Sequence, residues 1–444
     1  MKYNSKKNAN NNKKESRRKK MECKEIQLKN GINLHIIPTN KFKTNLMVVF
    51  LTTELNRENV TKNALISTIL RRGSKTMPSQ EEISKNLEEM YGATFNCGLD
   101  KTGDNQVLKF FMETVNDNFL PKNNINIMEN SIQKLIELVF DPYIENEGFK
   151  EQYVEQEKNR VREWIEARKD NKASYALEQC IEEMYKNQNF GLYKYGYIED
   201  LDNINAKNLF EYYQTLIKEC KIDIYISGMI DEKIVEEKIR QNQIIGKLED
   251  RNPKYNNNEI EKGKKAEQEN TKEEKLDVAQ GKLVLGLDVE LEEDAQKYDT
   301  LVYNSILGGT ANSKLFQNVR EKASLAYAAS SSYLRTKSNI FINCGIEIEN
   351  YTKALDIIKV QIKDMKEGKF TDEEVENAKT NILDSIQSIE DEQDSQIIYY
   401  FGQEISKTKE NLKEYQEKIK KVTKQDVLNI ANKVSIEMIY FLRN

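Results

Sequence analysis

The sequence predicts an α+β protein of two related domains, each an antiparallel β-sheet covered by helices. Three observations carry this. Both halves of the chain run through the same order of elements, and two stretches of one half can be laid on two stretches of the other. Glycine and proline number only 18 and 5 in 444 residues, too few for a turn-rich all-β chain. The length suffices for two packed cores.

The first domain, 21–248, opens with strand-like INLHIIP and NLMVVFLTT at 32–38 and 45–53. A short helix follows over 61–72, another over 79–91, and then two strands near 93–99 and 105–115. From Phe149 a long helical pattern places Val154, Val161 and Ile165 on one face. KIDIYISGMI at 221–230 closes the domain as a strand. Between Glu249 and Val278 only five of 30 positions are apolar, too few to bury a core, and the stretch reads as a charged linker, 249–278.

The second domain, 279–444, repeats the plan. KLVLGLDVEL is strand-like, a helix over 293–307 stops at Gly308-Gly309, whose pair predicts a C-cap turn, and a helix over 312–323 follows. Strands near 325–334 and 339–347, helices over 350–367 and from Thr371, and a closing strand SIEMIYFLRN at 435–444 complete it. FKEQYVEQEKNRVREWIEARKDN at 149–171 lies on FTDEEVENAKTNILDSIQSIEDE at 370–392 without a gap, so that Phe149/Phe370, Val154/Val375, Glu155/Glu376, Lys158/Lys379 and Ile165/Ile386 coincide. NLEEMYGATF at 86–95 likewise lies on NVREKASLAY at 318–327. Two matches in the same order argue for a duplicated domain.

Composition narrows the chemistry. The chain has one histidine, His35, so no two-histidine metal site can form. His35 alternates with Leu34 and Ile36 and reads as a partly buried or edge-strand side chain in preference to a catalytic base. The five cysteines, Cys23, Cys97, Cys180, Cys220 and Cys344, are far apart and odd in number, which points to reduced thiols in a cytoplasmic protein. No phosphate-binding loop, dinucleotide fingerprint or nucleophile-elbow motif occurs. With 73 Asp and Glu, an acidic pair carries no signal. No apolar run approaches the ~18 residues of a membrane span. Residues 1–20 hold nine Lys and Arg against one Glu, reading as a disordered basic tail without a secretory signal. The rest carries 59 basic and 72 acidic residues, a balance of −13 that argues against a nucleic-acid-binding core.

KLVLGLDVELEEDAQKYDTLVYNSILGGTANSKLFQNVREKASLAYAASSSY resembles the C-terminal domain of pitrilysin/insulinase-type zinc metallopeptidases, in its L-G-G turn, S-x-L-F, R-E-K and L-A-Y. ALISTILRRGSKTMPSQEEISKNLEEMYGATFNCGLDKTGDNQVLKFFMETV resembles the matching part of their N-terminal domain. Within the family the chain is most similar to the non-catalytic YfmF type of Gram-positive bacteria. The resemblance implies a clamshell of two domains with the LuxS/insulinase-like metalloenzyme fold.

Active members of the family carry an inverted zinc motif, H-x-x-E-H, in which two histidines hold the metal and the Glu activates its water, with a distal Glu on a later helix. Placing the family's G-T turn on Gly73-Ser74 puts the pentad on Ala64-Leu65-Ile66-Ser67-Thr68 and the distal Glu at Trp164, or at Glu163 if the frame slips by one. The zinc ligands are therefore absent, and the resemblance implies no metal, no cofactor and no catalytic residue. Arg320 and Tyr327 stand where the family has an arginine and a tyrosine that reach the substrate, against the alternative that they cap a helix and pack in a strand. As implied partners it offers a peptide or protein substrate and a zinc-bearing homologous peptidase in a heterodimer, with a connection to the 5-aminopentanol modification of elongation factor P. Two other readings stay open: an active peptidase with atypical residues drawn from Cys97, His35 or a carboxylate cluster, and a peptide-binding scaffold.

Overall fold

The computed structural model describes residues 23–121, 126–256, 261, 263 and 266–444. The basic tail lies outside the described residues.

The first half consists of β1 (Lys24–Lys29), β2 (Ile32–Pro38), β3 (Thr44–Glu54), α1 (Val60–Ile69), α2 (Gln80–Glu89), β4 (Thr94–Thr102), β5 (Asn105–Val115), α3 (Ile127–Phe140), α4 (Glu151–Ala167), α5 (Lys172–Met184), α6 (Ala206–Glu219), β6 (Lys221–Gly228) and α7 (Glu232–Gln241). The second consists of β7 (Asn270–Lys275), β8 (Gly281–Val289), α8 (Gln296–Asn304), β9 (Ala326–Leu334), β10 (Asn339–Ile346), α9 (Tyr351–Lys366), α10 (Asp372–Ile389), α11 (Gln393–Ile405), α12 (Leu412–Lys421), α13 (Lys424–Ala431) and β11 (Val434–Arg443). These strands form two sheets, ordered β1-β2-β6-β3-β5-β4 and β9-β10-β8-β11-β7, beside a separate two-stranded ribbon of Ile144–Glu145 with Gly148–Phe149. Strand for strand, β2, β6, β3, β5 and β4 match β7, β11, β8, β10 and β9, with β1 an addition to the first sheet. The duplication read from two helical stretches thus extends to the whole topology. Each sheet is antiparallel except at one pair, β2 with β6 and β11 with β7, which run parallel.

Strand β7 corrects the reading of 249–278 as a linker throughout. NTKEEK has no apolar residue, yet it pairs along β11 from Asn270 opposite Met438 to Lys275 opposite Arg443. An edge strand satisfies its backbone on one side only and leaves its side chains in water, so it needs no hydrophobic signature. Gly308-Gly309 also behaves differently from expectation. Neither glycine has a positive φ, and α8 runs on into a wide π-type turn over Ser305–Gly309 in place of a cap. Gly308 lies so close to β9 that a Cβ would collide with the Ser331 amide.

One face of each sheet packs on the helices of its own half. The first core joins Leu34, Val49 and Phe110 to Ala64 and Leu65 of α1 and Val154 of α4; the second joins Leu285 and Ile342 to Val302 of α8 and Val375 of α10. The opposite faces are covered by a helix from the other half. Ala176 and Cys180 of α5 pack on Val284, Phe341 and Tyr440 of the second sheet, while Ile397 and Phe401 of α11 pack on Val48, Phe50 and Tyr225 of the first. These two helices are repeat equivalents, since Ala176/Ile397 and Cys180/Phe401 keep the offset of 221 residues that relates Phe149 to Phe370. The halves of the clamshell are thereby clasped by a reciprocal exchange of helices.

Polar contacts reinforce the clasp. Gln393 at the start of α11 donates to the Ser227 carbonyl at 2.9 Å, Lys221 of β6 pairs with Glu404 at 2.8 Å, and Tyr175 of α5 donates to Glu274 of β7 at 2.9 Å.

Candidate functional site

Helix α1 carries the positions that match the zinc motif. Nine of its ten residues are buried, so it is covered all round and wedged between the sheet and α4, with Thr61, Asn63, Ser67 and Thr68 as its buried polar residues. Ala64, Ser67 and Thr68 are at most 2% exposed. Ser67 Oγ donates to the Ala64 carbonyl at 2.7 Å and Thr68 Oγ1 to the Leu65 carbonyl at 2.9 Å, so both hydroxyls are turned back on their own helix. Next to them Asn63 donates to Gln106 at 2.8 Å and accepts from Tyr212 at 2.8 Å, and Gln106 donates to the Val60 and Lys194 carbonyls. The resulting network is neutral.

These residues do not fit zinc. Ala64 has no donor atom, Ser67 and Thr68 are uncharged hydroxyls, and Trp164, at the place of the distal ligand, leans its ring on Tyr195 at 5.1 Å with 37% of its surface exposed. Glu163 beside it is exposed. Among the described residues, no group of three or more His, Cys, Asp or Glu could hold a metal ion.

Charge enters one turn further along. Arg72 pairs through Nε with Glu157 of α4, a carboxylate with no exposure, and through Nη1 with Gln80 at 3.3 Å. Arg160 approaches Glu157 at 3.7 Å, and Arg71 hydrogen-bonds the Cys97 thiol of β4. Sequence reasoning singled out none of Arg71, Arg72, Glu157 or Arg160. One signal was available: in the repeat alignment Glu157 falls opposite Ala378, a charge at a buried helix position where the other half has a methyl group.

The substrate-facing candidates of the second half lie elsewhere. Arg320 rests its guanidinium over the Phe316 ring at 4.5 Å, with Nε 3.6 Å from Glu321. Tyr327 falls in a bulge of β9, between the pairs Ala326–Ile346 and Ala328–Gly345, and is 72% exposed, so it is not packed in the strand.

His35 is not an edge-strand residue. Strand β2 pairs on both sides, and the ring is buried, stacked on Tyr225 at 4.2 Å, with Nε2 3.0 Å from Asp223. Asp223 is fully buried and takes both carboxylate oxygens to Lys221 at 2.6 Å. Burial pushes its carboxyl up, but Lys221 and the His35 hydrogen bond outweigh that and hold it below the usual carboxylate range. Leu34 and Ile36 face α1, whereas His35 and Ile37 point to the α11 side of the sheet, so the histidine cannot reach the motif. No thiol is activated either: burial raises Cys97, and it pushes Cys23, Cys220 and Cys344 up to about 12. No described helix is long and apolar enough to cross a membrane.

Comparison with known proteins agrees with this geometry. Residues 203–382 match the family model described as the peptidase M16 inactive domain. The chain is 34% identical over 419 residues, 93% of its length and 96% of the relative's, to the "Probable inactive metalloprotease YmfF" of Bacillus subtilis, so the subgroup read from the sequence is the right one although its designation reads YmfF. It is 25% identical over 244 residues, 54% of this chain and 57% of the other, to the "Uncharacterized zinc protease YmxG" of the same organism. Among solved structures, a conserved protein from Enterococcus faecalis V583 superposes with a TM-score of 0.86 at 26% identity, over 95% of this chain and 98% of that one.

Proposed function

The chain belongs to the M16 peptidase family as a homologue of its inactive members, and from that premise we propose that it is a non-catalytic, peptide-holding partner of a zinc-bearing homologous peptidase. The observation that carries the proposal is the state of α1, where Ala64 is a methyl group and the Ser67 and Thr68 hydroxyls are committed to their own helix. A fold that keeps its scaffold and loses its metal retains surfaces for extended peptide. Strands β4 and β9 end their sheets, with no strand on their outer sides among the described residues, and an open strand edge accepts a peptide through main-chain hydrogen bonds. Tyr327 and Arg320 stand on and beside β9 and supply a hydroxyl and a guanidinium to such a peptide. Zinc-protease relatives such as the one named above are the kind of subunit that would supply the catalytic metal in a cytoplasmic heterodimer. The resemblance alone connects this pair with the 5-aminopentanol modification of elongation factor P.

Metal analysis and a peptidase assay on the purified chain, alone and mixed with the zinc-bearing homologue of the same cell, test the proposal. The chain alone is expected to be inert and the pair active. Chelator-sensitive cleavage by the chain alone would sink it.

A further inference from the structure

We infer that the charged cluster just beyond the C-terminal end of α1 is a receptor for a peptide carboxylate, built on Arg71 and Arg160 around the buried Arg72–Glu157 pair. The inference rests on the peptide-holding reading and adds the class of residue the site takes.

The first argument is charge. Two guanidinium groups, Arg72 and Arg160, reach a single carboxylate, and a third, Arg71, sits beside it on the Cys97 thiol. Arg72, 13% exposed, meets Oε1 of the fully buried Glu157 through Nε, while Glu157 Oε2 is buried without a hydrogen-bond partner. Arg160 reaches the same carboxylate only at 3.7 Å and is 32% exposed, and no Asp or Glu among the described residues forms an ion pair with Arg71. The cluster therefore keeps a formal excess of two positive charges. Cys97 does not offset it, because burial keeps its thiol neutral.

The second argument is position. Arg71 and Arg72 lie in the turn that follows the last residue of α1, where their amides donate to the Thr68 and Ile69 carbonyls at 3.2 and 2.9 Å. Cys97 lies on β4, the open edge where an extended peptide would run. Arg160 and Trp164 are one turn apart on α4, and Trp164 and Tyr195 give the site an aromatic wall. The positive charge here belongs to the protein's own side chains. A guanidinium cannot polarise water as a zinc ion does, but it binds carboxylate bidentately. The excess positive charge selects against Lys or Arg side chains and for Asp, Glu or a chain terminus.

Trp164 is the only tryptophan of the chain, so its emission reports occupancy of the site directly. The test titrates the full-length chain with short fluorescein-labelled peptides of Gly, Ala and Ser carrying a central Asp-Asp or Asn-Asn pair, each as C-terminal acid and amide. Unlabelled copies serve the tryptophan measurement. The Asp-Asp or free-acid forms are expected to bind about 10-fold or more tighter than the Asn-Asn amide. That preference should shrink with added salt, and occupancy should shift Trp164 emission. Arg71→Met with Arg160→Met should abolish the preference while leaving Asn-Asn amide binding unchanged; Arg72 is spared because its loss would strand Glu157. Comparison of acid and amide tells a side-chain carboxylate from a terminus. Equal binding of all four peptides, or a preference that survives both substitutions, would overturn the inference and leave the peptide-holding reading intact. Absence of binding by any of them would overturn both.

Discussion

Helices α4 and α10 occupy equivalent places in the two halves and show what duplication preserved. Phe149 and Phe370 are each 3% exposed, and Lys158 and Lys379 are each 8% exposed. Both lysines reach back three residues to a glutamate, Glu155 at 2.8 Å and Glu376 at 2.9 Å. One position apart from these lysines the match ends, with buried Glu157 in one half and buried Ala378 in the other. Packing positions diverge slowly because a changed volume costs energy at once, whereas a group retained for chemistry is free to change when the chemistry goes. The first half accordingly keeps a charged cluster with no counterpart in the second, on a helix whose apolar face is nearly unchanged.

The exchanged helices give the sharpest way to break the comparison. Phe401 stacks on Phe50 at 3.9 Å, while its equivalent in α5 is the small Cys180. Phe401→Ala should cost about 4 kcal/mol in denaturant unfolding, and Cys180→Ala about 1 kcal/mol. Equal losses would mean that both arms carry the same load. A single cooperative transition is expected in each case, because each arm belongs to the core of the opposite half.

The α11 side of the clasp also holds a buried charge network, Lys221 with Asp223 and Glu404. Lys221→Met would leave Asp223 buried beside His35 without its cation and Glu404 without its partner, and should cost about 3 kcal/mol at neutral pH. The sign with pH follows from the two shifts. Asp223 is held below its ordinary value, so its stabilisation is present above the unfolded carboxylate range and is lost as pH falls through the folded one. Burial would lower Lys221, but Asp223 and Glu404 outweigh it and raise the ammonium, so that part is complete below the unfolded lysine value and lost as pH rises through the raised one. The variant should therefore flatten the stability profile at both ends; an unchanged profile would remove the network from the clasp.

A third contrast lies at Asp288 of β8. Burial, with the neighbouring Glu437 carboxyl, pushes it up to about 8. A raised carboxyl contributes its stability when protonated and loses it as pH climbs from the unfolded value toward about 8. Asp288→Asn should therefore be more stable than the parent at pH 9 by on the order of 1–2 kcal/mol and nearly equal at pH 4, as thermal unfolding at the two pH values would show. The smallest effect is expected at Tyr327, where replacement by Ala should change stability by less than about 0.5 kcal/mol because the side chain is solvated. In the mixed complex, however, it and Arg320→Ala should weaken peptide affinity or turnover; unchanged values would leave both residues without a role in the substrate.

The strands and helices that bury a continuous or periodic apolar face were legible from residues alone, within a few positions. INLHIIP, KLVLGLDVEL and the paired helices at 149 and 370 declare themselves because burial demands apolar side chains at fixed spacing. That position 64 carries only a methyl group is plain from the sequence, and that it stands where relatives hold zinc is what the family resemblance implies. Strand β7 was not, because an edge exposed to water places no demand on side chains. His35 was misplaced as a partly buried or edge residue, since neither its second neighbouring strand nor Tyr225 is local to it.

The sequence by itself determined the duplication and the elements that bury a periodic apolar face, both of which depend on residue identity and short spacing. Only the tertiary structure decided that each half lends a helix to the other, that Lys221, bound to Asp223, meets Glu404 across the seam, and that Arg72 and Arg160 reach Glu157. Arg72 and Glu157 are 85 positions apart and Lys221 and Glu404 are 183 apart. An amphipathic pattern states that a face is buried and is silent about which surface buries it, because the hydrophobic effect has no direction. The address of each helix is fixed by the shape and charge of the sheet it meets.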